Sequence, residues 1–373
     1  MEIFSRICIN SFNIMNFEYK SIGVGIYLEA SIFDHSCSPT AAVVFRGKKI
    51  AVRCISNPFK NLEFKDLRIS YTDVSRRSKE RRKILRDQYY FECDCTECDV
   101  DPFHLDEMKR SSFRCPTCDT CNIYKEKEEE DEDVNPGEIR LEDLCLGADA
   151  SLGAAMLGAE ASATPFGPGS GEEKKDKIFR CYSCNAEVPK YYISEYVEVR
   201  QRTLATLFGG NPTNPNPNLS RASEFEIEMG RTFHPCDRLY LDVLEECLGL
   251  HIDAQNWNRA LKTGAEMAMA YTVLYPSKDV NTALLYLKMA KLKNQVPTVK
   301  RLEEALDYFR KALEILAITH GEDHALVKDH CALQMASVQM ELQMRKSGGT
   351  RIGGKVINGD KKATHEEIME LLN

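Results

Sequence analysis

An α+β fold is predicted by two changes of period along the chain and by where its cysteines fall. Up to about residue 90 the sequence runs in short β-branched segments punctuated by glycine, the pattern of small paired strands. Beyond about residue 220 almost every segment carries apolar residues at helical spacing. Between these regions the thiols stand in pairs and triplets, as metal-binding knuckles do. With 373 residues the chain has room for two or three domains and a sizeable core.

In the first region Gly23–Tyr27 and Ala41–Phe45 read as strands. Arg46-Gly47-Lys48-Lys49 reads as a hairpin turn leading into Ile50–Arg53. Asp66–Tyr71 is apolar at every second position and reads as a further strand with Tyr71 at its end. From Ser75 to Gln88 the period becomes helical. The basic run Ser78–Arg86 on that helix reads as a solvated face.

Cys93, Cys95 and Cys98 form a Cys-x-Cys-x-x-Cys cluster. Three thiolates leave a tetrahedral zinc one ligand short, and Cys37, in the polar turn Phe33–Thr40, is the candidate fourth. The competing reading is a set of buried free thiols. Cys115/Cys118 and Cys181/Cys184 are two knuckles of one design, expected to share a second structural zinc, with Cys121 as a substitute for Cys118. From Lys125 to Lys177 the chain is first acidic and then rich in Ala, Gly, Ser and Pro, which predicts a disordered insertion.

Val188–Phe208 suggests a helix, and the Asn/Pro/Gly run from Gly209 to Pro217 marks a boundary. Pro235 suits a first helical position. A weak recurrence at a 45-residue shift sets Ala260-Leu261 and Tyr275-Pro276 against Ala305-Leu306 and His320-Gly321, which suggests stacked helix pairs of tetratricopeptide type. The Met/Leu stripe from Leu333 to Met344 reads as core, and Ser347–Asp360 as a flexible tail.

The formal charge is −8, but Glu126–Asp133 holds seven acids and one lysine. The acidity is therefore local, and neither it nor the knuckles, which lack interleaved basic residues, indicate a nucleic-acid surface. No apolar run is long enough to span a bilayer. Clustered rather than evenly paired cysteines predict a reducing compartment, cytoplasm or nucleus.

Several of these segments also carry a family resemblance. Asp34-His35-Ser36-Cys37, the strand-end Tyr71, the segment Glu80–Tyr89 and Phe91-Glu92-Cys93-Asp94-Cys95 occur in the order found in the SMYD family of SET-domain lysine methyltransferases. The similarity runs from about Cys8 to Asp99, with extra residues around Asn57–Lys65, and returns more loosely at Thr319–His324. The resemblance implies a partial, β-rich SET domain over residues 1–90, followed at 91–124 by the post-SET zinc cluster and first knuckle. The insertion (125–177), the second knuckle and helix (178–208) and a linker (209–220) come next. A TPR-like helical domain (221–346) and a tail (347–373) complete the map.

By the same resemblance, Tyr71 sits at the methyl-transfer point. Asn10, Asp34, His35, Tyr71 and Phe91 contact S-adenosylmethionine, while Phe12 and Tyr89 wall the channel for the substrate lysine. The implied partner is a histone or other protein offering that lysine, and the helical domain is expected to bind protein partners. Asp34 departs from the family's usual Asn: it can accept from an ammonium group but cannot donate as an amide does. The family's opening SET strand and its MYND finger are expected ahead of residue 1, so little methyl transfer is expected of the chain alone. The rival expectation is a catalytically silent zinc-and-helix interaction module.

Overall fold

The computed structural model describes residues 2–17, 19–56, 63–99, 109–110, 113–118, 124–126, 179–181, 183–208 and 219–347. In chain order the elements are helix α1 (Glu2–Asn10), strands β1 (Ser11–Met15), β2 (Ser21–Ile26), β3 (Ala41–Arg46) and β4 (Lys49–Cys54), then helix α2 (Ser78–Tyr89). Strands β5 (Tyr124–Glu126) and β6 (Phe179–Cys181) follow, and the rest is helical: α3 (Lys190–Thr203), α4 (Leu219–Thr232), α5 (Arg238–Asp253), α6 (Trp257–Leu274), α7 (Val280–Gln295), α8 (Val299–His320) and α9 (Leu333–Lys346). The expected insertion, the linker after Phe208, the tail beyond Ser347 and Cys121 lie almost entirely or wholly outside the described residues.

The chain divides into two compact units, one formed by Met1–Arg110 with Cys247–Asn373 and the other by Ser111–Glu246. In the first unit β1 pairs with β2 and β3 with β4, both antiparallel. The β3–β4 turn is the two-residue Gly47-Lys48 link between the Arg46↔Lys49 pair. Gly47 sits at φ +58, which glycine adopts without a Cβ clash. Strand β2 leaves Ile22, Val24 and Ile26, every second residue, exposed on one face.

The expected strand at Asp66–Tyr71 does not form. Phe64–Asp66 is a 3₁₀ turn, and Leu67–Tyr71 makes a single parallel bridge, His35↔Ile69. Thr40 explains why no ladder grows. Its Oγ1 accepts from Arg68 N at 2.8 Å and donates to Asp66 O at 2.9 Å, so a side chain takes the bonds a second strand would need. The alternating pattern still buries Ile69. A second correction is α1: the region up to about residue 90 reads as short strands with turns, yet Glu2–Asn10 is helical.

The larger core of this unit lies among α7, α8 and α9. Ala283, Ala290, Ala305 and Ala312 let helices approach closely, and Leu287, Leu302, Phe309, Leu316, Val338 and Leu342 fill the space. Burying each large side chain contributes roughly 1.5–3 kcal/mol. Asp279 caps α7 by accepting from Asn281 N at 2.7 Å, and Thr298 caps α8 by accepting from Arg301 N at 3.2 Å. At the end of α8, His324 Nε2 lies 3.1 Å from Phe45 O and Arg53 Nε donates to Ile318 O at 3.1 Å, tying the β3–β4 hairpin to the helices. The stripe on α9 is only partly core: Met335, Val338 and Leu342 are buried, but Leu333, Met340 and Met344 face outward.

In the second unit Phe113, Tyr196, Phe233 and Tyr240 stack in sequence around α3, α4 and α5. Pro235 does not open α5 as expected. Asp237 does, accepting from Leu239 N at 3.0 Å and Tyr240 N at 3.3 Å, while Tyr196 and Arg200 hold the same buried carboxylate.

Candidate functional site

The turn Phe33–Thr40 is positioned from its backbone. Ile69 N donates to Asp34 O and Ser36 N to Ile69 O, each at 3.0 Å. In a parallel bridge of this kind His35's own N–H and C=O face away from Ile69. The His35 ring is fully engaged: Tyr71 N donates to Nδ1 at 2.9 Å, so Nε2 carries the proton and points it at Cys37 Sγ, 3.2 Å away. Burial, with help from the Arg81 charge, pulls the imidazole down to about 4, so it is neutral at physiological pH.

Tyr71 stands at the centre of this arrangement. Its phenol donates to Phe33 O at 2.5 Å, which turns the oxygen's lone pairs away from that carbonyl. Its ring lies 4.9 Å from Tyr89, 5.3 Å from His35 and 6.5 Å from Phe91, the last edge-on. Burial and then the Asp34 charge raise the phenol above its ordinary range, and burial raises Tyr89 as well. Tyr71 is therefore a neutral phenol near pH 7 and no general base. Asp34, with its side chain 76% exposed, offers a carboxylate 3.7 Å from Arg68 Nη1.

Four of the residues singled out from the sequence (His35, Tyr71, Tyr89 and Phe91) thus form one aromatic group, with Asp34 next in sequence to His35. Phe12 packs instead on Tyr27 at 6.1 Å, and Asn10 Nδ2 donates to Arg6 O, closing α1. Among the described residues neither is hydrogen-bonded or ring-packed to Tyr71.

Behind the aromatic group the Sγ atoms of Cys37, Cys93, Cys95 and Cys98 lie within 4.8 Å of one another. Cys37 and Cys98 are 3.5 Å apart. Tetrahedral zinc with Zn–S near 2.3 Å requires sulfur–sulfur separations of about 3.8 Å, so the donor set fits the ion. The contact from Cys37, and then Arg81, draw the Cys98 thiol down to about 5, while the same contact pushes Cys37 up. Cys115, Cys118, Cys181 and Cys184 form a second such group, with 3.7 Å between Cys115 and Cys184 and between Cys118 and Cys181. Backbone N–H groups of Thr117 and Cys118 point at Cys115 Sγ, as in a metal knuckle.

Arg81 is the residue that sequence reasoning passed over. On the basic helix α2, whose face was expected in solvent, it is buried against the first thiol group together with Leu85 one turn later. The i, i+4 spacing of Arg81 and Leu85 was the available signal.

No protein-family profile matches the sequence. The chain is similar to N-lysine methyltransferase SMYD2-B of Danio rerio, 24% identical over 330 residues, which are 88% of this chain and 58% of the relative. It is 24% identical over 336 residues to histone-lysine N-methyltransferase ASHR1 of Arabidopsis thaliana, with the same coverage. Against human histone-lysine N-methyltransferase SMYD3 it is 43% identical over 108 residues, 29% of this chain and 24% of that protein. The resemblance to SMYD-type lysine methyltransferases thus holds along most of the chain, which spans 58% of the length of the relatives it matches most extensively.

Proposed function

We propose that the chain carries part of the active site of a SET-type protein-lysine methyltransferase, which transfers a methyl group to a lysine of a histone or other protein. The observation that carries this reading is the gathering of Tyr71, Tyr89, Phe91 and His35 beside the exposed carboxylate of Asp34. S-adenosylmethionine, when bound, supplies the methyl group as an electrophile.

The roles of the chain's own residues follow from their chemistry. Asp34 accepts from the cofactor's ammonium, and the outward-facing main-chain groups of His35 bind beside it, since the His35 ring is committed to Tyr71 and Cys37. Tyr71 and Tyr89 wall the approach of the lysine, and Phe91 packs beside the cofactor. An aromatic wall removes water, which favours the neutral amine that can act as nucleophile. It also attracts the methylated cation afterwards. Tyr71, with its proton on Phe33 O, presents oxygen lone pairs for weak C–H···O contact and fixes the line of attack. Asn10 and Phe12 serve the cofactor and channel from the β1 side. Two structural zinc ions, at Cys37/Cys93/Cys95/Cys98 and Cys115/Cys118/Cys181/Cys184, hold the framework. Residues 1–90 are read as SET-domain sequence, and the helices within 221–346 as a TPR-like partner-binding domain.

Calorimetric titration with S-adenosylmethionine tests the site. The protein to use is a fusion carrying the chain behind the N-terminal part of human SMYD3, because the curated relatives are longer. Asp34→Ala should weaken binding about tenfold, the worth of one charge-assisted hydrogen bond. Unchanged affinity would remove Asp34 from the site. Failure of the fusion to bind at all would favour the interaction-module reading.

A further inference from the structure

Arg81 is 2% exposed. Its Nη2 donates to Glu97 O at 2.7 Å and approaches Cys98 Sγ at 3.8 Å. Its Nη1 reaches Val74 O at 3.4 Å and also bonds Arg76 O. One planar guanidinium thus joins the end of the Cys93–Cys98 knuckle to the turn that follows Tyr71. Arg110 backs the same turn, donating to Val74 O at 2.8 Å and Arg76 O at 3.0 Å. A centre of four thiolates and one divalent zinc carries a net charge of about −2, and a neighbouring buried cation offsets part of it.

We propose that Arg81 is a positioning residue of the Cys37/Cys93/Cys95/Cys98 zinc centre, holding its last ligand and the Val74–Arg76 turn to one point, so that metal retention and the seating of Tyr71 depend on one side chain. The inference rests on the zinc reading of that cluster. A lysine could supply the charge but not the fork: three carbonyls and a sulfur lie in directions that a planar guanidinium with five N–H groups can serve together.

The test follows zinc in the full chain. Native mass spectrometry counts the ions, and 4-(2-pyridylazo)resorcinol reports their release. The paired change Cys93→Ser and Cys95→Ser identifies the release phase of this centre, while the other centre serves as an internal reference. Arg81→Met should weaken retention at this centre about ten- to a hundredfold and leave the reference phase unchanged. Arg81→Lys should fall between wild type and Arg81→Met, and carries the test alone if Arg81→Met does not fold. In the cobalt-substituted protein, loss of the hydrogen bond to Cys98 should shift the thiolate-to-cobalt band to longer wavelength, which a purely structural role would not do. Zinc present with release and cobalt spectrum unchanged in both variants overturns the role of Arg81 alone. No zinc at this centre in the wild-type chain overturns the zinc reading and the inference with it.

Discussion

Acidification should loosen the end of α8 through His320, and the size of the effect can be worked out. His320 is buried, its Nδ1 lies 2.9 Å from Thr319 Oγ1, and its ring meets His324 edge-on at 4.8 Å. Thr319 uses its own proton on Ile315 O, so Nδ1 of His320 is the donor to Thr319. Burial first, then the charges of His324, Arg53 and Arg46, pull His320 from 6.5 down to about 3. The folded state therefore resists a proton that the unfolded chain accepts. The stability contributed by neutral His320 is full above pH 6.5 and is lost progressively as pH falls from there towards 3. Between pH 7.5 and 5 the loss comes to about 2 kcal/mol. Asp279 works in the opposite sense: burial raises it to about 6, so folding gains as pH falls through that value. The contribution of His320 is thus read as a difference between proteins. Trp257, the one tryptophan of the chain, sits at the start of α6 in the same unit and reports its unfolding by fluorescence. In urea titrations at the two pH values, His320→Asn, whose amide can still donate to Thr319, should lose about 2 kcal/mol less than wild type. Equal losses, within about 0.5 kcal/mol, would refute the argument.

Two further expectations concern the framework. Gly321 ends α8 at φ +84 and ψ 149, a region open essentially to glycine, and an added Cβ would meet Arg53 Nη1 at 3.0 Å. Gly321→Ala should therefore cost about 1–3 kcal/mol in the same titration, and an unchanged midpoint would show that the cap relaxes freely. The purified chain should carry two zinc ions by native mass spectrometry, and one after Cys93→Ser with Cys95→Ser. A folded, metal-free wild-type chain would refute both centres.

What the sequence revealed was local or chemically narrow. Closely spaced thiols have few uses, so the Cys93/Cys95/Cys98 triplet and the two knuckles could be read from spacing, whereas Cys37, more than fifty residues away, was a candidate that the family resemblance singled out. Gly47 marked its hairpin because a two-residue turn demands positive φ. The failures share a cause, which is that tertiary partners overrode local pattern. The alternation of Leu67, Ile69 and Tyr71 was a sound guide to burial but not to a ladder, since Thr40 takes the bonds of Arg68. Pro235 looked like a helix start, but the buried acceptor is Asp237, two residues later. Arg81 was set apart from its basic neighbours on α2 only by sharing a helix face with Leu85, and its burial comes from the thiols that fold against it. The aromatic group was named residue by residue through family resemblance. The commitment of the His35 ring to Tyr71 and Cys37 emerged only from the structure.

Methyl transfer to a protein lysine is the most direct test of the proposed activity. Radiolabelled S-adenosylmethionine would be supplied with a histone mixture to the chain and to its SMYD3 fusion, each as wild type and as Tyr71→Phe. Transfer is expected from the fusion and little from the chain alone. Tyr71→Phe should lower the rate at least about a hundredfold, since the phenol contributes by orientation as well as contact. Its affinity for the cofactor should stay within a few-fold of wild type, because the hydroxyl spends its proton on Phe33 O and a C–H···O contact adds little to binding. Transfer indifferent to Tyr71→Phe, or none from either wild-type protein, would contradict the proposed activity.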